Sequence, residues 1–203
     1  MKKVAIYGGA FNPITKGHLH VIRSLRKALP DFQIWVSPTY ESTWDKEMLN
    51  PKERLEMCKL ALKNFPDVEL SGYEIHNKIS GTLKFYKTLR IDPKYSNYEF
   101  YFVIGMDQAN NIEKWVDSPI LMNTVRFIVL PRAGEKEPTD PWYRNNRHIF
   151  IDKDDQKKRS STEVRENVNN YYKGNFSMEA NLKRDLTPEV LKYILTNRLY
   201  EKR

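Results

Sequence analysis

At 203 residues, 40% hydrophobic and 30% charged, the chain is long enough to bury a sizeable core in one α/β domain of ordinary size and too apolar to be disordered. No apolar run reaches bilayer length, and the stretch behind Met1-Lys2-Lys3 stops at Gly8-Gly9, too short for a signal peptide. The net charge of +8 favours anionic partners, but the basic residues are dispersed, with Lys157-Lys158-Arg159 the densest cluster, and no nucleic-acid-binding signature accompanies them.

Val4-Ala5-Ile6-Tyr7 reads as a buried strand, and the spacing of Leu19, Ile22, Leu25 and Leu29 marks one face of a helix. Between them lies Gly8-Gly9-Ala10-Phe11-Asn12-Pro13-Ile14-Thr15-Lys16-Gly17-His18. A strand, a glycine-bearing turn and a helix start present free N–H groups and the positive end of the helix dipole to an anion. Gly8 and Gly9 keep side chains off that backbone, and His18, in the first helical turn, can donate to a phosphate oxygen. Neither G-x-G-x-x-G nor the P-loop pattern is present, so this order of elements alone also describes an ordinary βα connection.

Gln33-Ile34-Trp35-Val36 reads as the next strand, followed by a polar loop that carries Lys46 and runs to Asn50. Asn50-Pro51-Lys52-Glu53 predicts a helix start, with Asn50 as cap, Pro51 at the first position and Glu53 reaching back in a capping box. Cys58 falls on the apolar face of that helix with Leu55 and Leu62, which predicts burial; as the single cysteine it suits a reducing cytoplasm. Val68-Glu69-Leu70 is a short strand, and Ser80-Gly81-Thr82 opens a helix carrying Leu83, Tyr86 and Leu89. The strand Tyr101 to Ile104 ends at Gly105-Met106-Asp107, and a helical stretch runs on to Trp115. Phe127 to Leu130 is a strand ended by Pro131-Arg132-Ala133-Gly134, residues 135–147 read as a surface loop, and Ile149 to Ile151 is the last strand. Helices are expected from Ser160 to about Tyr172 and from a Thr187-Pro188-Glu189 cap through Leu195. Alternating strands and helices imply a Rossmann-like open parallel sheet with helices on both faces, one domain over 1–203 with a helical part from about 160. Ligands bind such sheets at the C-terminal strand ends, where Asp107 stands.

Ser160-Ser161-Thr162-Glu163-Val164-Arg165 forms a second cluster. Ser160 and Glu163 have capping-box spacing, which puts Ser161 and Thr162 in the first turn. Their hydroxyls and N–H groups would face an anion, and the Arg165 fork can pair with phosphate. The spacing by itself describes a well-capped helix equally well.

Gly-Gly-Ala-Phe-Asn-Pro followed by Thr-x-Gly-His resembles the signature of the nucleotidyltransferases that carry (His or Thr)-x-Gly-His. Ser160 to Arg165 resembles the second signature of nicotinate- and nicotinamide-nucleotide adenylyltransferases, and Gly105-Met106-Asp107 their Gly-x-Asp. Pro131 to Gly134 resembles their Arg-Pro-Gly segment, and Leu186 to Tyr200 their C-terminus. The resemblance implies transfer of the adenylyl group of ATP to nicotinate mononucleotide, giving deamido-NAD and pyrophosphate. It implies ATP contacts from Gly8, Gly9, Ala10, Phe11, His18, Gly105, Asp107, Arg132, Ser161, Thr162 and Arg165, with His18, Thr15 and Arg165 at the reacting phosphates. Asp107 would hold the ribose hydroxyls, Trp115 would stack on the pyridine ring, Thr82 would meet the mononucleotide, and Lys46 would reach the phosphates or the mononucleotide. Mg²⁺ would be carried mainly by the phosphates.

Three positions depart from the pattern: Asn12 stands where Asp is common, Thr15 replaces a histidine as in phosphopantetheine adenylyltransferases, and Ser80-Gly81-Thr82 replaces Ser-Tyr-Thr. Nicotinamide mononucleotide and, less favoured, phosphopantetheine therefore stay open as substrates. A catalytically inactive nucleotide- or RNA-binding module is the alternative of another class, and the joint presence of His18 and Ser160 to Arg165 argues against it. His18 and His20 diverge on a helix while His76 and His148 lack partners at ligand spacing, so no protein metal site is expected. The expected partners are ATP and a pyridine mononucleotide, without nucleic acid or membrane, and a homo-oligomer is allowed.

Overall fold

The computed structural model describes residues 1–41, 48–152 and 160–202. Its strands are β1 (Lys2–Gly9), β2 (Phe32–Pro38), β3 (Val68–Leu70), β4 (Tyr98–Gly105), β5 (Arg126–Leu130) and β6 (Ile149–Phe150). The helices are α1 (Lys16–Ala28), α2 (Pro51–Ala61), α3 (Tyr73–His76), α4 (Thr82–Ile91), α5 (Met106–Ala109), α6 (Ser118–Thr124), α7 (Ser161–Tyr172), α8 (Met178–Asp185) and α9 (Pro188–Thr196). All strand pairs are parallel, in the order β3-β2-β1-β4-β5-β6. This is the Rossmann-like sheet that the alternation of elements predicts, and its order reverses between β1 and β4. Tyr7 lies level with Val103 in register, so the strand ends Gly9 and Gly105 leave the sheet side by side.

Alternation along the strands sets the layers. Val4, Ile6, Phe100, Phe102, Phe127 and Val129 share one cluster with Leu83 and Phe85 of α4, Met106 of α5 and Leu121 of α6. The intervening Ala5, Tyr101, Val103, Ile128 and Leu130 share the other face with Val21 and Leu25 of α1. The far side of α1, through Leu19 and Ile22, meets Met57 and Cys58 of α2, Val164 and Val168 of α7, Leu182 of α8 and Ile194 of α9. Cys58 is fully buried, as its place on the helix face predicts, and burial pushes its thiol pKa up. No helix among the described residues is long and apolar enough to cross a membrane.

Four local expectations need correction. Asn50 does cap α2, accepting from the Lys52 N–H at 2.9 Å, but Glu53 does not reach back, because its carboxylate accepts from the Tyr193 hydroxyl at 2.7 Å. The helical stretch to Trp115 breaks after Ala109 and resumes as a 3₁₀ turn at Ile112–Lys114. The short helices α3, α6 and α8 carry no sustained apolar period and are not expected from the pattern. The stretch read as a surface loop is anchored at Trp142–Arg144: Tyr143 is 1% exposed, and the Trp142 indole N–H donates to the Ala109 carbonyl at 3.0 Å. Tyr143→Ala should therefore cost about 3 kcal/mol, the range for emptying a buried aromatic site, where a true surface loop would move stability by less than about 0.5 kcal/mol. Equilibrium denaturation of the purified variant distinguishes the two.

Candidate active site

The loop between β1 and α1 turns its carbonyls into the protein. Arg54 Nη1 donates to the Ala10 carbonyl at 2.9 Å, Arg165 Nη1 to the Asn12 carbonyl at 2.7 Å, and the Ser161 hydroxyl to the Pro13 carbonyl at 2.9 Å. The last two bonds join segments 153 and 148 residues apart and bring the N-terminus of α7 to that of α1. Ser161, Thr162 and Arg165 thus meet the loop, but two of them spend part of their donor capacity holding it. Arg165 uses two of its N–H groups, on Asn12 and on the Thr162 hydroxyl at 3.1 Å. Ser160 caps α7 by accepting from the Thr162 N–H at 3.2 Å, and Glu163 lies 3.6 Å from Arg184 instead of closing a capping box.

A capping box does form where none is expected, at α1. Thr15 is the N-cap and His18 the third helical residue, the spacing at which the two can cap each other. The Thr15 N–H donates to His18 Nδ1 at 2.9 Å, with the Thr15 hydroxyl 3.0 Å from the same nitrogen. Because a backbone N–H can only donate, Nδ1 is the acceptor, and a neutral ring carries its proton on Nε2. The Phe11 ring packs edge-on against the imidazole, with centroids 5.1 Å apart. Burial, with the Arg132 charge nearby, lowers the His18 pKa from 6.5 to about 4, so at neutral pH the group is an uncharged Nε2–H donor.

Across the switch point, Asp107 sits in the first turn of α5. Its Oδ2 lies 3.7 Å from Arg132 Nε, while Oδ1 is buried without a hydrogen-bond partner. Gly105 leaves room beneath it, since a Cβ there would push the Asp107 carboxylate out of this position. An unpaired carboxylate oxygen in a cleft can accept from a hydroxyl of a ligand. Trp115 is partly buried and packs on the β4-side cluster that also contains Leu83, the neighbour of Thr82. Gly81 precedes α4 at φ +91°, a conformation unfavourable for the usual tyrosine, and the Ser80 hydroxyl ties the segment to Glu41 at 3.2 Å. Lys46 and Lys157-Lys158-Arg159 lie outside the described residues.

Two further residues complete the loop. Asn12 is 4% exposed, and its Oδ1 accepts from the Tyr200 hydroxyl at 2.9 Å and from the Leu49 N–H at 3.4 Å. The amide oxygen meets these donors without burying the charge that Asp would bring. Arg54 is absent from the sequence reading although a signal for it exists. It shares helical spacing with Met57, Cys58 and Ala61, all buried, and an arginine on an apolar helix face needs a buried partner. His18 should show the Nε2–H tautomer and a single titration near pH 4 in nitrogen-edited NMR. Its depressed pKa also means that stability is lost as pH falls from about 6.5 towards 4, because the unfolded state binds the proton first. A titration near 6.5 would contradict this packing.

The cytidylyltransferase-like family model matches residues 6–167. A probable nicotinate-nucleotide adenylyltransferase of Fusobacterium nucleatum is 34% identical over 172 residues, covering 83% of this chain and 88% of that protein. Another, from Endomicrobium trichonymphae, is 33% identical over 206 residues, covering 99% of this chain and all of the relative (100%). The structure of Plasmodium falciparum nicotinic acid mononucleotide adenylyltransferase complexed with NaAD superposes with a TM-score of 0.81 at 24% identity, covering 98% of each chain, and bears out the fold. With both nucleotidyltransferase signatures meeting at one loop and these matches spanning most of its length, the chain belongs to the cytidylyltransferase-like family, among the nicotinate-nucleotide adenylyltransferases.

Proposed function

We propose that this chain transfers the adenylyl group of ATP to nicotinate mononucleotide, releasing pyrophosphate and forming deamido-NAD. The observation that carries the reading is the meeting of the two helix starts, α1 with His18 and α7 with Ser161 and Arg165, at one loop. Two positive dipole ends and an arginine with N–H groups to spare meet at this loop, and that suits a triphosphate. The names of the relatives support nicotinate mononucleotide over nicotinamide mononucleotide, and the phosphopantetheine reading rests on Thr15 alone.

In the reaction an oxygen of the mononucleotide phosphate attacks the α-phosphorus, and the bond to the β-phosphate bridging oxygen breaks with its electron pair leaving on pyrophosphate. The attacking oxygen is already ionised at neutral pH, so no general base is required. Catalysis consists of alignment and of charge stabilisation as negative charge moves towards the leaving group. His18 donates from Nε2 to an α-phosphate oxygen, and Thr15 keeps that proton on the correct nitrogen. Arg165 and the Ser161–Thr162 turn take the β- and γ-phosphates, and Asp107 Oδ1 accepts from the ribose of ATP. Trp115 and the segment around Thr82 hold the pyridine ring. Mg²⁺, which needs few protein ligands, would be held by the phosphates and water, where it would neutralise phosphate charge. With a single cysteine that can form no internal disulfide, the chain suits a reducing cytoplasm, where we place the reaction.

Pyrophosphate release from ATP with each of the three acceptors is the direct test. The expected specificity constant is highest for nicotinate mononucleotide; a higher value for the amide would replace the substrate, and no release with any acceptor would remove the reaction. His18→Ala should lower kcat by about 100-fold or more with the fold retained, the cost of losing one transition-state donor. Gly105→Ala should leave the melting temperature within about 2 °C, since only the Asp107 carboxylate must rotate away, yet raise the KM for ATP about tenfold, the worth of a charge-assisted hydrogen bond. Steady-state kinetics beside thermal melts would expose either expectation.

A further inference from the structure

We propose that Arg54 is a positioning residue for the phosphate loop, aiming the Phe11 N–H at the triphosphate from behind, and that Glu74 supports it there. This rests on the adenylyl-transfer reading of the site. Arg54 is fully buried (0% exposed), and every hydrogen bond it makes to the described residues ends on a main-chain carbonyl. Nε donates to Leu49 at 3.0 Å, Nη1 to Ala10 at 2.9 Å, and Nη2 to Thr39 at 2.7 Å and Tyr40 at 3.2 Å. One guanidinium therefore spans the loop after β1, the loop after β2 and the approach to α2. Glu74 is 6% exposed and accepts from the Tyr40 N–H at 2.9 Å; burial raises its pKa to about 7, and in its ionised form its charge bears on Arg54 without a direct hydrogen bond.

Burying a cation against neutral carbonyls costs more than filling the same volume with an apolar side chain, so packing does not account for Arg54. Peptide geometry offers a role. The Ala10–Phe11 peptide is trans, so the Ala10 carbonyl and the Phe11 N–H point in opposite directions. Arg54 draws the carbonyl inwards and thereby turns the N–H out. That N–H has no hydrogen-bond partner among the described residues. The Phe11 ring meanwhile rests on His18, which sets the loop carrying this N–H against the helix that carries the Nε2–H donor. Lysine in place of Arg54 would keep the charge but present a point donor without the planar fork.

The test compares wild type, Arg54→Lys and Glu74→Gln by circular dichroism, by calorimetric binding of Mg²⁺-ATP alone, and by kinetics with both substrates. Arg54→Lys should fold, bind ATP at least tenfold more weakly and lose about 50-fold in kcat/KM for ATP, with the KM for nicotinate mononucleotide within twofold of wild type. Glu74→Gln keeps an acceptor for the Tyr40 N–H while removing the charge, and should show the same pattern at about fivefold. The proposal is overturned if either variant folds with ATP constants within twofold of wild type, if both substrates are affected alike, or if neither variant folds, since the pair is then structural. If wild type turned over none of the acceptors, the reaction assigned above would fail, while weaker ATP binding by Arg54→Lys would still decide the role of Arg54.

Discussion

A loop can turn N–H groups towards an anion only by turning the carbonyls of the same peptides away, and carbonyls turned into a protein must find donors. Much of this structure follows from meeting that demand for a few residues after β1. The donors come from distant parts of the chain: Arg54 for Ala10, Arg165 for Asn12 and Ser161 for Pro13. Each belongs to a helix in the cluster around Leu19 and Ile22, on the far side of α1. The apolar core of α1, α2 and α7 thus sets where three polar donors stand, and these fix the backbone of the loop.

The same economy of function appears in Thr15 and His18. In a helix start the cap satisfies orphan N–H groups and would ordinarily be a matter of stability. Here the reciprocal bond also decides which ring nitrogen carries the proton, and burial keeps the ring neutral. Asp107 shows the converse, a polar atom left unsatisfied by the protein at the end of β4. Its neighbour Gly105 makes room for that oxygen and supplies no side chain of its own.

The strands were legible because each is a short apolar run bounded by turn residues, and the parallel order follows from helices alternating with them. The two signatures were legible as segments, and their convergence was implied by resemblance alone, since no spacing along the chain places Ser161 against Pro13. Local capping rules failed where a tertiary partner competed: Glu53 went to Tyr193 and Glu163 towards Arg184. Short helices such as α3 and α6 offered too few turns for a period to show. Arg54 was hidden because its partners are backbone carbonyls, which every residue possesses and no side-chain pattern advertises.

The bond from the Tyr200 hydroxyl to Asn12 spans 188 residues and closes the phosphate loop from beyond α9. A chain truncated after α7 would carry every signature residue and yet leave the Asn12 oxygen without its phenol donor. The loop therefore depends on a side chain that belongs to neither signature, so that the two motifs together are less than the site.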